Sequence, residues 1–115
     1  MQAPNVEIAA LSRICNEVLV LSMLAGETQH GYQLALGIEE QSGSYFRFNH
    51  GTLYPILHKL EREGLIGGSW NQEELRRKRK YYALTEEGRH YLASLEEQLQ
   101  IFFRNFSHFL GRTAS

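Results

Sequence analysis

A mainly α domain with a small β-hairpin and one long terminal helix is what this 115-residue sequence predicts, and three patterns carry the prediction. Apolar residues recur at helical spacings of three and four in three successive segments. Two short aromatic and aliphatic runs then flank a polar, basic stretch, as the strands of a hairpin do. A heptad-like seam closes the chain, with Leu92, Leu95, Leu99, Phe102, Phe106 and Phe109 at spacings of 3, 4, 3, 4 and 3. At 43% hydrophobic and 22% charged the composition is that of a globular chain, so a folded core is expected. At about 100 to 200 residues per domain, the length argues against a multi-domain enzyme.

The first helix spans Val6 to Ala25, with Ile8, Leu11, Cys15, Val18 and Ser22 on one face and Ile14, Leu21 and Ala25 on the next. So broad an apolar surface suggests burial on two sides, by its own domain and by a second chain. Thr28 is placed to cap a second helix carrying Leu34, Ala35 and Ile38, which stops near Ser42-Gly43-Ser44. Tyr45 to Phe48 reads as a short extended segment. From Gly51 to Glu63, Leu53, Ile56, Leu57 and Leu60 form one stripe. Pro55 lacks an N–H, so it belongs within the first four helical positions, with the cap at Gly51 or Thr52. Gly64 closes this helix as a left-handed residue. Leu65 to Trp70 and Tyr81 to Thr85 read as two strands joined by a long polar tip. Thr85 then caps the last helix, Glu86 to Leu110, about 37 Å long at 1.5 Å per residue, and Gly111 to Ser115 reads as a frayed end. The division expected is a domain over residues 6–85 and a terminal helix over 86–110.

Several function classes fall away on chemistry. The chain has no Asp, which removes half of the usual catalytic and metal-binding carboxylates. His30, His50, His58, His90 and His108 form no i,i+4 pair and have no cysteine at ligand spacing, so surface or DNA-contact roles are expected for them, with no metal and no cofactor. No nucleophile elbow or phosphate-cradling glycine loop is present, and an enzyme is not expected. No apolar run approaches the roughly 20 residues of a membrane span. A single Cys15 and no recognisable signal peptide lead to the expectation of a cytoplasmic protein, with Cys15 an inert small hydrophobe.

What the charge pattern offers is local. Net charge is −1, yet Arg76, Arg77, Lys78, Arg79 and Lys80 hold five of the 12 basic residues. Three helices, a hairpin and a long helix, with the third helix immediately before the hairpin, is the order of a winged helix-turn-helix domain. A third helix that buries Leu53, Leu57 and Leu60 turns Tyr54 and His58 outward, and the B-DNA major groove, about 12 Å wide, admits one helix. Gly51 permits close backbone approach, Thr52 offers a hydroxyl, and the basic run would sit beside the groove on phosphate. A charge run alone is as often a solvated turn, and Tyr54 and Tyr32 are residues that also pack. The helical context favours DNA contact, more firmly for Tyr54 than for Tyr32.

Leu24-Ala25-Gly26 through His30-Gly31-Tyr32-Gln33-Leu34, then Gly51-Thr52-Leu53-Tyr54-Pro55-Ile56-Leu57 with Leu60-Glu61-Arg62-Glu63-Gly64-Leu65-Ile66, then Tyr81-Tyr82-Ala83-Leu84-Thr85-Glu86-Glu87-Gly88, resembles the PadR family of bacterial transcriptional regulators. The likeness covers roughly residues 14 to 92, in three ordered blocks. The resemblance implies a winged-helix DNA-binding domain, a C-terminal helix that dimerises, and repression relieved by a small molecule or stress signal. It carries DNA contact onto Tyr32, Thr52, Tyr54 and Lys59 and onto the wing between Trp70 and Tyr81. With a single C-terminal helix the chain resembles the shorter branch of the family. It departs from the family at the wing, where Asn71-Gln72-Glu73-Glu74 stands in place of the usual Gly, Arg or Pro.

Packing is the reading of the seam, and a second copy is its expected partner, because Phe102, Phe103, Phe106 and Phe109 would otherwise expose an apolar patch. A second reading has Trp70, Phe102, Phe103 and Phe106 line an interface pocket for a flat apolar or aromatic effector. The expected partners are thus double-stranded DNA, a second copy and a small effector, with no membrane. The rival from another class is a protein-interaction module that kept the winged-helix scaffold without specific DNA binding, a reading the near-neutral isoelectric point of about 6.5 keeps open.

Overall fold

A computed structural model describes the backbone of residues 5–74 and 77–114, and side chains of 12–70 and 79–112. The order is α1 (Asn5–Gly26), β1 (Gln29–His30), α2 (Gly31–Gln41), α3 (His50–Arg62), β2 (Ile66–Glu74), β3 (Arg77–Leu84) and α4 (Glu86–Ala114). The strands form one antiparallel sheet in the order β1-β3-β2. The core lies where α1, α2 and α3 meet this sheet, and includes Val20, Leu21, Leu24, Leu34, Ile38, Leu53, Leu57, Leu60, Ile66, Tyr82 and Leu92.

The buried face of α1 is Glu17, Val20, Leu21 and Leu24, not the expected stripe through Cys15, Val18 and Ser22. Ser22 is exposed, Cys15 and Val18 are half-buried, and the side chains of Ile8 and Leu11 lie outside the described residues. The reason is Glu17, which breaks the apolar pattern yet is 8% exposed. Its carboxylate is held at 2.6 Å by the Lys59 ammonium from α3, and a paired carboxylate can be buried where a lone one cannot.

The cap of α2 is also different. Thr28 does not serve; Gln29 and His30 pair with Tyr82 and Tyr81 of β3 as a third strand, and His30 becomes the N-cap. His30 Nδ1 faces the Gln33 backbone N–H at 3.3 Å and the Gln33 side chain accepts from the His30 N–H at 3.1 Å, the geometry of a reciprocal capping box. Residues 45–48 make no strand. The Ser42 hydroxyl accepts the Phe46 N–H at 2.9 Å, Gly43 and Ser44 take positive φ, and the resulting turn sends Phe46 and Phe48 against the core edge.

Helix α3 starts at His50 because Asn49 is the stronger cap, its side-chain oxygen accepting the Thr52 N–H at 2.9 Å. Pro55 is therefore the sixth helical residue, not within the first four, and the Gly51 carbonyl has no i+4 N–H to accept. The expected stop is found: Gly64 has φ 78°, its N–H reaches the Glu61 carbonyl, and Leu65 N–H reaches the Leu60 carbonyl, both at 3.0 Å.

The hairpin is longer than its apolar ends suggest. Pairing runs from Ile66 and Leu84 out to Asn71 and Arg79, then, past an irregularity, to Glu74 and Arg77. Arg77 to Lys80 are thus strand residues and not a tip, while Arg76 lies outside the described residues. Thr85 caps α4 as expected, accepting from Gly88 N–H at 2.9 Å and donating to the Gly64 carbonyl at 2.6 Å. The helix continues past Leu110 through Gly111 to Ala114, into the segment expected to fray. At 29 residues it is about 43 Å long. It stretches the molecule to 60 × 35 × 23 Å with a radius of gyration of 16.3 Å, where a compact chain of this length has about 13 Å.

Candidate nucleic-acid interface

Between α2, α3 and the hairpin runs an open groove of about 600 Å³, lined by His30, Gly31, Tyr32, His50, Tyr54, His58, Trp70, Arg79, Lys80 and Tyr82. The alternation of β3 builds one wall, turning Tyr82 into the core and leaving its neighbours half-buried. Leu53, Leu57 and Leu60 anchor α3 from behind, so His50, Gly51, Thr52 and His58 stay exposed on its outer side. His50 stacks on Tyr54 with ring centres 5.5 Å apart and planes 8° off parallel. The Tyr54 hydroxyl lies over Gly31, where a Cβ would meet it at 2.8 Å. Glycine at the start of α2 thus makes room for the tyrosine that the groove needs. Tyr32 is 63% exposed at the rim.

The described cations near the groove each have a partner. Lys59 turns away from the groove to Glu17, and Glu63 is 3.9 Å off. The hydrogen bond to Glu17 is the main reason its ammonium is held above the usual lysine range. Lys80 is 2.9 Å from Glu61 and lies 5.5 Å from the Tyr82 ring centre and 5.9 Å from that of Trp70. The Glu61 hydrogen bond likewise raises it. Arg79 is 2.9 Å from His30 Nε2. Arg77 and Lys78 lie on β3, with side chains outside the described residues.

Six of the expected site residues, Tyr32, His50, Tyr54, His58, Arg79 and Lys80, meet in this groove, while Gly51 and Thr52 follow His50 on α3 and do not line it. Lys59 does not reach it. Trp70 does, at 67% exposure, and its groove has no contribution from Phe102, Phe103 or Phe106. Those four aromatics therefore do not make one pocket within the chain, because β2 carries Trp70 to the α3 side while α4 leads the phenylalanines away. His30 is the residue whose role the sequence hid. It is 8% exposed and not a surface histidine, and its signal was the spacing to Gln33, a capping box with histidine in the place of serine or threonine. Among the described residues no cluster of His, Cys, Asp or Glu suits a metal ion, and no helix is long and apolar enough to cross a membrane.

On α4, Leu92 is 5% exposed and belongs to the domain core, so it is not a free dimerisation residue. Leu95 and Leu99 are half-buried, and every described side chain from 100 to 112 is exposed. Phe102, Phe106 and Phe109 are 56%, 50% and 52% exposed, and Phe102 stacks on Phe106 with centres 5.8 Å apart.

The fold recurs in known proteins. A crystal structure of a PadR family transcriptional regulator from Eggerthella lenta superposes with a TM-score of 0.78 and 29% identity, covering 92% of this chain and 90% of that one. Bacillus subtilis PadR, solved in complex with operator DNA, shares the fold with a TM-score of 0.64 at 24% identity, covering 77% of this chain and 58% of that one. Transcriptional regulator YqjI of Escherichia coli is 31% identical over 84 residues, 73% of this chain, which spans 39% of that protein's length. The model of the transcriptional regulator PadR-like family matches residues 20–94, from the buried end of α1 through the hairpin into α4. With that match taking in the whole groove, this chain belongs to the PadR-like family of transcriptional regulators.

Proposed function

We propose that this protein binds double-stranded DNA as a homodimer, with α3 in the major groove and the hairpin on the flanking backbone, and acts as a transcriptional repressor. The observation that carries the reading is the outer face of α3. His50, Gly51, Thr52 and His58 stand exposed with Tyr54 beside them, while Leu53, Leu57 and Leu60 fix the helix from the opposite side. Thr52 supplies a hydroxyl that can bond a base edge or a phosphate, and Gly51 lets the backbone approach closely. Arg79, with Arg76, Arg77 and Lys78 beyond it, supplies charge for phosphate. The Bacillus subtilis protein of the same fold, solved in complex with operator DNA, supports DNA binding.

Leu95, Leu99, Phe102, Phe106 and Phe109 are proposed as the dimer seam, since an apolar stripe this long exposed on a helix is covered in soluble proteins. Two-fold symmetry then gives a pseudo-palindromic operator with half-sites about one helical turn, or a multiple, apart. Occupying such a site blocks a promoter. A small apolar or aromatic effector seated among Phe102, Phe103 and Phe106 at the seam would change the angle between the two α4 helices and hence the spacing of the two α3 helices.

The test is binding to a labelled fragment spanning the protein's own promoter, at two salt concentrations and against competitor DNA. Wild type should bind tightly, with log K falling by about 0.9 per phosphate neutralised for each unit of log salt. Tyr54→Ala should lose specificity, and a variant with Arg76, Arg77 and Lys78 changed to Ser should lose affinity on all sequences. Binding no better than competitor, with a flat salt slope, overturns the proposal in favour of a protein-interaction module, the reading that a net charge of −1 favours.

A further inference from the structure

Two hydrogen-bond donors converge on the ring of His30. The Gln33 amide points at Nδ1, at 3.3 Å, and the Arg79 guanidinium at Nε2, at 2.9 Å. A neutral imidazole has one acceptor nitrogen, and a guanidinium can only donate. The ring therefore satisfies one of the two donors at a time. With its proton on Nδ1 it accepts from Arg79 and leaves the Gln33 amide uncapped; with the proton on Nε2 it caps α2 and aims an N–H at a cation. Protonated on both nitrogens it serves neither. Burial, and then the Arg79 charge, hold His30 below the ordinary imidazole range, which keeps the ring neutral. Tyr81, edge-on at 5.2 Å, and Tyr32, stacked at 6.5 Å, fix the ring plane, so the conflict is not relieved by turning away. The Arg79 contact is the shorter of the two and is charge-assisted, a class of hydrogen bond about twice as strong as a neutral one, which favours a proton on Nδ1 in the free protein.

An anion at the groove removes the conflict. A phosphate accepts from Arg79 and from an Nε2–H at once, and leaves Nδ1 free to cap. Resting on the reading of this groove as a DNA interface, we propose that His30 is its positioning residue and works by changing tautomer: the ring parks Arg79 in the free protein, then, as a backbone phosphate takes Arg79, moves its proton from Nδ1 to Nε2, caps α2 and donates to that phosphate. The ring carries one proton before and after, so binding draws none from solvent at this site. Arg79 is thereby delivered by a partner that gives it up readily, and the α2 cap is completed only in the complex.

Nitrogen NMR of histidine-labelled protein reads the tautomer directly, in the free protein and with a mixed-sequence duplex of about two helical turns at low salt. The expected result is the Nδ1–H form in the free protein and the Nε2–H form on the duplex. An unchanged His30 tautomer while the His50 and His58 signals shift overturns the inference and leaves DNA binding standing. If no histidine signal responds and no binding is detected by anisotropy, the DNA reading fails and takes the inference with it. His30→Asn supplies both a capping oxygen and an N–H donor, so it should hold duplex affinity within about threefold, whereas His30→Ala should lose about tenfold, the equivalent of one good polar contact. Equal losses in the two variants, with both folded by circular dichroism, would refute the role.

Discussion

Replacing Gly88 by alanine sets two effects of opposite sign against each other. Gly88 is the third residue of α4, where helix propensity alone favours alanine by about 1 kcal/mol. A Cβ at this position, however, would stand 2.0 Å from the Leu65 carbonyl oxygen, 3.0 Å from its carbon and 3.2 Å from Leu84 Cδ2. The obstacle is backbone in the link between α3 and β2, so about 1 Å of displacement is needed to reach even a 3.0 Å contact. That carbonyl accepts from Thr85 N–H at 3.1 Å, and Thr85 in turn bonds Gly64 and Gly88, so the shift loosens the whole junction of α3, β2 and α4. Two hydrogen bonds weakened in a half-buried setting, at about 1 to 3 kcal/mol each, outweigh the propensity gain. The expected net loss is about 1 to 5 kcal/mol, or on the order of 10 °C in Tm for a domain of this size. Urea unfolding followed by circular dichroism at fixed protein concentration measures it, with Gly26→Ala, which meets nothing within 4 Å, as the control that should not lose stability. A Gly88→Ala protein as stable as the wild type would refute the steric argument.

Leu92→Ala should cost about 2 to 5 kcal/mol in unfolding experiments, as a core truncation does, whereas Phe106→Asp should leave the domain folded and shift sedimentation from dimer to monomer. The opposite assignment would mean that the core and the seam have been exchanged. Glu17→Gln should destabilise the fold at neutral pH, and the gap should close in strong alkali. Lys59 is raised, mainly by its Glu17 hydrogen bond, so that stability is complete below the ordinary lysine value near 10.4 and lost as pH climbs past it. A gap that stays constant across this range would contradict the pair. Gly31→Ala should push the Tyr54 hydroxyl from its seat and weaken duplex binding on the order of tenfold with little change in stability, read by fluorescence anisotropy beside a melting curve.

Where the sequence was legible, one physical rule acted alone. Leu34 with Ile38, and Leu53 with Leu57 and Leu60, face the core because nothing competes with their helical spacing. Gly64 and Thr85 end and start helices through local geometry that a few residues specify. The buried face of α1 escaped the same rule because Glu17 sits in it, and what makes that burial tolerable is Lys59, 42 residues away. Strand β1 has two residues and no period to detect. The hairpin outran its apolar ends because the outer pairs, Trp70 with Lys80 and Asn71 with Arg79, are polar or mixed and carry no alternation. At the groove, residue types identified the α3 contributors, but which cations remain available was set by Glu17, Glu61 and His30, partners that only the fold brings near.

The break in register between Asn71 and Glu74 divides the hairpin into two parts that evolution can treat separately. Inward of it, a one-residue slip would be ruinous, since it would turn Tyr82 from the core to solvent and put Tyr81 or Ala83 where the phenol was. Outward of it, residues can be gained or lost without disturbing that alternation, because an irregular ladder already absorbs the mismatch. Length in the outer segment is therefore a freely adjustable dimension, and with it how far the hairpin extends from the body of the domain. Related chains can diversify their reach along a partner while keeping the base, the α2 junction and the groove unchanged.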